Sequence, residues 1–186
     1  MGEHILRTLT GVEKDKALRW AALLHDMGKP ATRTTDEQGI DHFHGHAKLG
    51  AEMANGILRR LKFDNDTRKR VVRLVEFHDD RQFPLNHRGV RRAIHRIGAD
   101  LFPDYLKLAR ADALAQNPAL LPEKLARLSE IERLYTEILE AQNCLSLKDL
   151  AVTGRDLIDA GVKPGPTLGV ILNAMLEAVI EHPEYN

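Results

Sequence analysis

Histidines and aspartates that could bind a metal ion recur along this sequence at positions that belong to apolar helix faces. His25 and Asp26 end an apolar stretch, His46 and His78 each continue the apolar face of another segment, and Asp112 lies on a third apolar stripe. Because a buried charge without a partner is costly, a shared cation is the simplest explanation for these inward-pointing groups. Imidazole and carboxylate together suit Mn, Fe, Co, Ni or Zn. The sequence therefore predicts a divalent-metal site.

The alternative for any one of these histidines is a core residue that is satisfied by hydrogen bonds. A His-Asp pair is also weak by itself, since this composition gives about one such pair by chance and the chain holds two, His25-Asp26 and His78-Asp79. The metal prediction thus depends on several residues from different helices meeting in one core. The remaining histidines are assigned to loops or the surface and not to metal: His42, His44, His87, His95 and His182.

Apolar residues recur with a helical period nearly everywhere, and no sustained alternation indicates a half-buried strand. The sequence therefore predicts an all-α fold with a polar loop, or a small hairpin, over residues 31–45 that reaches over the site. Residues 1–142 are predicted to form one helical domain and residues 143–186 a small helical extension. The predicted helices run over about 15–25, 46–61, 66–78, 87–97, from Pro103 onward, 123–141 and 166–180.

Basic residues offer candidate phosphate ligands. Lys29 follows the helix break three residues after Asp26, so its backbone position is tied to the metal ligand. Arg88, Arg92 and Arg96 are spaced by four residues on one face of a predicted helix. Either a solvated face or phosphate recruitment explains that stripe, and the same two interpretations stay open for a second set: Arg68, Lys69, Arg70 and Arg73.

Composition limits the classes of function. The 27 basic residues balance 27 acidic ones, so binding to nucleic acid must be local rather than driven by global charge. The single cysteine, Cys144, excludes an internal disulfide, and no charged-then-apolar leader is found, which favours a cytoplasmic setting. No apolar run approaches the roughly 20 residues of a membrane span. Membrane association is therefore not expected.

The order of His4, the motif HDMGKP at 25–30, GH at 45–46, His78 and the Ala111-Asp112 pair resembles the HD superfamily of metal-dependent phosphohydrolases. More narrowly, the segments LLHDMGKPATRT, HFHGHAKLGAEMANGILRRLKF and VTGRDLIDAGVKPGPTLGVIL resemble the C-terminal half of bacterial tRNA nucleotidyltransferases, the CCA-adding enzymes. The resemblance implies an HD-domain helical bundle with a small helical C-terminal extension. It also implies a central ligand set of His4, His25, Asp26 and Asp112, with His46 and His78 extending it to a second metal.

The transferase head of that family, with its glycine-containing phosphate loop and paired aspartates, has no counterpart in this sequence. CCA addition by this chain alone is therefore not expected, and the chain is expected to be a domain of a larger protein or a shortened relative.

The predicted function is a phosphohydrolase that depends on one or two divalent ions, Ni, Mn, Fe, Co, Zn or Mg. Asp26 and Lys29 are the predicted catalytic residues, and Lys29, Arg88 and Arg92 are predicted to hold the substrate phosphate. The resemblance implies a nucleotide, a 2',3'-cyclic phosphate or an RNA end as substrate, hydrolysed by phosphomonoesterase or phosphodiesterase chemistry. Two alternatives stay open: a non-catalytic tRNA-binding body domain, and a regulatory domain that only binds a nucleotide. The sequence does not predict an oligomeric state.

Overall fold

The computed structural model describes residues 2–80, 82–116 and 121–186, and most of them are helical. This confirms the predicted all-α fold. The helices are α1 (Gly2–Gly11), α2 (Lys16–Leu24), α3 (Lys29–Thr32), α4 (His46–Arg60), α5 (Asn65–Phe77), α6 (His87–Ile97), α7 (Phe102–Ala115), α8 (Leu121–Glu140), α9 (Gly154–Asp159) and α10 (Pro166–Glu181). A 3-10 turn follows at Pro183–Tyr185. No helix in these described ranges is both long and apolar enough to cross a bilayer.

Polar side chains start several of these helices by accepting hydrogen bonds from free backbone N–H groups. Asp15 caps α2 and Asn86 caps α6. Asp64 caps α5 and accepts from Thr67 N at 2.8 Å. Thr153 caps α9 in a capping box with Asp156. The helix boundaries thus follow from local sequence.

The loop between α3 and α4 forms the small hairpin that the sequence allowed. Strands β1 (Thr34–Thr35) and β2 (Asp41–His42) pair antiparallel, with Thr34 opposite His42. Asp36 organises the turn, because its Oδ1 accepts from the backbone N–H groups of Gln38 and Ile40. The loop is therefore ordered by its own hydrogen bonds before it reaches His46.

The chain divides into two compact units. The first comprises Met1–Gln82 with Asp100–Ser129, and the second comprises Phe83–Ala99 with Glu130–Asn186. In the first unit, α1 packs on α7, and α5 packs against both α2 and α4. The predicted domain boundary at residue 142 stays a prediction.

The second unit joins α6 to the C-terminal helices, because α10 packs on α6 and on α9. Its apolar cluster consists of Cys144, Leu150, Leu176, Val179 and Ile180. Arg91 is buried in this unit and donates from Nε to the carbonyl oxygen of Ile180 at 2.8 Å. Arg91 thereby satisfies a carbonyl at the C-terminal end of α10, where a helix leaves acceptors without partners.

Candidate metal centre

Helix ends carry most of the predicted ligands to one place in the first unit. His25 and Asp26 follow α2 directly, His46 is the first residue of α4, and His78 follows α5. All four are nearly inaccessible to solvent, as is Asp112 within α7. The helical periodicity predicts His25, His46, His78 and Asp112 as core-facing, and their burial confirms that part of the prediction.

His4 reaches the same place from α1, a helix that the periodicity of the sequence did not reveal. Its partly exposed ring lies at the α1–α7 contact, and Thr8 Oγ1 donates to the carbonyl oxygen of His4 at 3.0 Å. The packing of α1 on α7 therefore gives His4 the helical support that the sequence left undefined.

Gly28 allows the end of α2 to approach α4 closely. A Cβ built at Gly28 would lie 2.1 Å from the carbonyl oxygen of His46 and 2.9 Å from the backbone nitrogen of Gly50. These are backbone atoms, so no side-chain rotation relieves the overlap. Glycine at position 28 is therefore needed for His25 and Asp26 to meet His46.

One group of ligand atoms joins His4, His25 and one oxygen of Asp26. The two Nε2 atoms of His4 and His25 are 3.2 Å apart. Each lies 3.5 Å from Asp26 Oδ2. Asp112 Oδ1 completes the group at 3.2 Å from His4 Nε2 and 3.5 Å from His25 Nε2. These are the four residues that the resemblance named as the central ligand set.

A second group joins His46 and His78 to the other oxygen of Asp26. The Nε2 atoms of His46 and His78 are 3.2 Å apart. Asp26 Oδ1 lies 3.5 Å from His78 Nε2 and 3.8 Å from His46 Nε2. Each carboxylate oxygen of Asp26 therefore faces one of the two groups. This arrangement suits either a single ion or two ions that share the Asp26 carboxylate.

The four histidines are oriented in the same way, each with Nδ1 directed at a backbone carbonyl oxygen. The pairs are His4 with Ala115 at 3.3 Å, His25 with Ala22 at 2.8 Å, His46 with Phe43 at 2.8 Å and His78 with Val75 at 2.7 Å. A carbonyl accepts only, so each Nδ1 carries the proton, and the neutral ring has a bare lone pair on Nε2. In histidines that bind metals through one ring nitrogen, the other nitrogen typically donates a hydrogen bond that fixes the tautomer in this way.

The paired Nε2 atoms thus have no proton to share when the rings are neutral, although each pair is at hydrogen-bonding distance. Asp26 Oδ1 is buried and finds no hydrogen-bond partner among the described residues. Two bare imidazole nitrogens and a carboxylate oxygen facing one another repel unless a cation lies between them. The residues present therefore fit a divalent transition metal ion.

The pKa shifts of Asp26 and His46 agree with that assignment. Burial acts to raise the pKa of Asp26, but the neighbouring side chains of His78, His25 and Lys29 outweigh it and hold the pKa well below its usual range. Burial lowers the pKa of His46. The neighbouring carboxylate of Asp112 raises the pKa of His4, so a metal ion at His4 Nε2 competes with a proton. An ionised Asp26 and a neutral His46 are the forms that bind metals.

Lys29 is held against the centre. Its Nζ lies 2.7 Å from Asp26 Oδ2 and 5.8 Å from the ring centroid of Phe43. The side chain is one-quarter exposed, so the ammonium group contacts the ligand carboxylate and solvent at once. Lys29 therefore occupies the place that the sequence analysis predicted, next to Asp26.

Gln116 supports Asp112 and was missed by the sequence analysis. Its Nε2 lies 2.9 Å from both carboxylate oxygens of Asp112, and its Oε1 accepts from Lys124. The spacing of four residues on one helix face was the available signal. Gln116 thus holds the orientation of the Asp112 carboxylate, just as the backbone carbonyl oxygens hold the orientation of the four histidine rings.

A cavity of about 540 Å³ lies beside His46 in the first unit. The loop side chains Phe43, His42 and His44 line one part of it, and the last two rings stack with centroids 5.6 Å apart. Its other lining side chains are mostly acidic: Asp41, Glu76, Asp79 and Asp80. The cavity therefore suits an uncharged or cationic group better than a polyanion.

Arg88 and Arg92 belong to the second unit, on the exposed face of α6. Both guanidinium groups form ion pairs with Glu181 of α10. Their predicted contact with a substrate phosphate stays a prediction.

Comparison with known proteins matches residues 31–186 to the family described as tRNA nucleotidyltransferase domain 2, putative. An A-adding tRNA nucleotidyltransferase of Deinococcus radiodurans is 36% identical over 170 residues, which cover 89% of this chain and 38% of that protein. A CC-adding tRNA nucleotidyltransferase of Thermus thermophilus is 37% identical over 164 residues, covering 88% of this chain and 36% of that protein. A multifunctional CCA protein of Actinobacillus pleuropneumoniae is 33% identical over 76 residues, 41% of this chain and 18% of that protein. The chain thus spans less than two fifths of the length of these curated relatives.

Proposed function

We propose, because this chain belongs to the tRNA nucleotidyltransferase domain 2 family, that it binds tRNA as the body domain of such an enzyme. The observation that carries the proposal is the family match over residues 31–186, which takes in segments of both compact units. We do not assign nucleotide addition to this chain, since its sequence holds no counterpart of the transferase head of the family that it resembles.

Direct binding tests this proposal. Fluorescence anisotropy with labelled tRNA that lacks its 3' CCA should give saturable binding that weakens as salt rises, because phosphate contacts release counterions. A DNA duplex of similar length is the matched polyanion, and it should bind more weakly. Absence of tRNA binding at about 50 mM salt, where such contacts are strong, by a chain with a helical circular dichroism spectrum would contradict the proposal.

We further propose that the centre formed by His4, His25, Asp26, His46, His78 and Asp112 holds one or two divalent ions. These ligands come from α1, α7 and the ends of α2, α4 and α5. An ion bound by all of these segments would tie them together and contribute to folding stability.

A second candidate function is the predicted HD-type phosphohydrolase activity, and one observation favours it. Lys29 places a partly exposed ammonium group 2.7 Å from Asp26 Oδ2, beside the proposed ion. A purely structural metal centre has no need of a cation at its edge. A bound divalent ion would supply Lewis acidity toward a phosphoryl group.

Different residues around the centre would then bind different parts of the substrate. Lys29 holds a phosphoryl oxygen by charge, and Phe43 restricts the position of that ammonium group. The acid-lined cavity beside His46 receives the uncharged part of the ester, such as a nucleoside. Because the same carboxylates repel a polyphosphate, we expect small monoesters or 2',3'-cyclic nucleotides rather than triphosphates as substrates.

Substrate hydrolysis in the presence of Ni²⁺, Mn²⁺ or Mg²⁺ separates the two candidates. Turnover of 2',3'-cyclic AMP that falls at least about tenfold in Lys29→Gln supports the phosphohydrolase. The control is Lys48→Gln, which removes an exposed lysine from α4 and should retain full turnover. If the metal-loaded, folded protein turns over neither 2',3'-cyclic AMP nor p-nitrophenyl phosphate, the phosphohydrolase activity is contradicted. The proposed tRNA binding is not affected by that result.

A further inference from the structure

A strongly basic stretch joins α4 to α5, in a chain whose net charge is zero. Residues 59–73 hold seven lysines and arginines and two aspartates, a local net charge of +5. We use the name basic turn for the four cations at the end of α4 and the beginning of α5: Arg59, Arg60, Lys62 and Lys69. This concentration of charge lies in the first unit and is separate from the metal ligands.

The cations of the basic turn are available to a partner. All four side chains are exposed, and within the ranges that the structure describes none of them forms an ion pair. The nearby Asp64 accepts from Thr67 N as the helix cap of α5 and pairs with Lys16 at 3.5 Å. Its charge is therefore engaged elsewhere.

The turn itself is rigid. Lys62 N donates to Arg59 O and Phe63 N donates to Leu58 O, each at 3.0 Å, which is the hydrogen-bond pattern of a helix end that usually carries glycine. Lys62 occupies that position with a φ of 57°. The Phe63 ring packs edge-on against Trp20, with centroids 5.1 Å apart. The four charges are thus presented on a fixed backbone, which lowers the entropy lost on binding.

Two other charged surfaces fit a polyanion less well. The stripe on α6 has more arginines, but Arg88 and Arg92 already share an ion pair with the carboxylate of Glu181. The cavity beside His46 is lined by carboxylates and repels phosphates. The basic turn combines exposure, charge and freedom from internal pairing.

We propose that the basic turn binds the sugar-phosphate backbone of double-helical RNA, independently of base sequence. This inference rests on the proposed tRNA-binding function and assigns the surface responsible for it. Exposed lysine and arginine side chains contact phosphates along a backbone without reading base edges, and double-helical RNA is bound mostly through its shape, its phosphates and its 2'-hydroxyl groups. Phosphates of the duplex replace the counterions of the four cations.

The test compares two variants with the same change in net charge. The first, Arg59→Gln/Arg60→Gln/Lys62→Gln/Lys69→Gln, removes the basic turn. The control, Arg7→Gln/Arg33→Gln/Arg133→Gln/Arg155→Gln, removes four exposed cations that already pair with carboxylates. Anisotropy titrations with a labelled RNA duplex and with tRNA, at several salt concentrations, give the affinity and its salt dependence, and circular dichroism checks folding.

We expect the first variant to bind both RNAs at least about tenfold more weakly and the slope of log affinity against log salt to fall by about 3. The control should keep the slope of the unmodified chain. Equal weakening in both variants, or an unchanged slope in the first, would contradict RNA binding by the basic turn. The proposal that the chain binds tRNA would still stand. Failure of the unmodified chain to bind RNA, with binding to anionic phosphatidylserine vesicles instead, would overturn the proposed function as well.

Discussion

The metal centre and the buried Arg91 both place charged or polar side chains in a core, but the two differ in how those side chains are satisfied. Arg91 donates to the carbonyl oxygen of Ile180 at 2.8 Å, so its burial is explained by the protein itself. At the centre, Asp26 Oδ1 has no hydrogen-bond partner within the described residues, and bare imidazole nitrogens face each other at 3.2 Å. Burial alone therefore does not mark a functional site, whereas buried groups that the protein leaves without partners do.

Removing Asp26 should have the largest effect on metal binding. Asp26→Ala takes one ligand from each group, so we expect the affinity for Ni²⁺ or Mn²⁺ to fall at least about a thousandfold, beyond the 10- to 100-fold typical of outer partners. Isothermal titration calorimetry measures the affinity. Asp112→Ala removes a ligand from one group only and should retain the second binding event. Equal affinities in Asp26→Ala and the unmodified chain would show that Asp26 is not a metal ligand.

A methyl group at Gly28 should disrupt the centre without touching a ligand. Because the added Cβ overlaps the backbone of His46, we expect Gly28→Ala to reduce the free energy of unfolding by about 3 kcal/mol and to weaken metal binding. Urea denaturation measures the first and calorimetry the second. The control is Gly56→Ala on α4, where nothing lies within 4 Å of the added Cβ. That change should stabilise the chain by up to about 1 kcal/mol, and similar losses in both variants would refute the packing argument.

Replacing Arg91 should affect stability and leave the metal centre intact. Arg91→Met leaves carbonyl acceptors at the end of α10 without a donor, so we expect the free energy of unfolding to fall by about 2 kcal/mol. Metal affinity should equal that of the unmodified chain. Arg155→Met, at an exposed helical position, should change stability by less than about 0.5 kcal/mol. Loss of metal binding in Arg91→Met would show that the two sites are not independent.

The smallest effect is expected at Lys62, where function and stability are opposed. Glycine relieves the left-handed backbone, so Lys62→Gly should raise the free energy of unfolding by about 0.5 to 1 kcal/mol. The same change should lower the salt-dependence slope of RNA binding by about 1. Urea denaturation and anisotropy measure the two quantities. A stabilised variant with unchanged RNA binding would show that Lys62 does not contribute to RNA binding.

The sequence predicted much of this site because local rules apply to it. Helical periodicity placed His25, His46, His78 and Asp112 on buried faces, and the structure confirms their burial. The resemblance to tRNA nucleotidyltransferases is likewise confirmed by the family match.

The features that the sequence did not reveal depend on tertiary contacts. The packing of α1 on α7 supplies the support for His4 that periodicity could not show. The need for glycine at position 28 arises from the approach of α4, and the union of α6 with α10 brings together segments far apart in the chain. The tautomers of the four histidines depend on which carbonyl each Nδ1 meets, which only the structure gives.

Metal content tests the central account most directly. The chain is purified without chelator, incubated with equal amounts of Mn²⁺, Ni²⁺ and Zn²⁺, desalted and measured by inductively coupled plasma mass spectrometry beside Asp26→Ala. We predict that the unmodified chain retains one or two equivalents of divalent ion and that Asp26→Ala retains less. A helical, folded chain that retains no ion above the buffer blank would contradict the account.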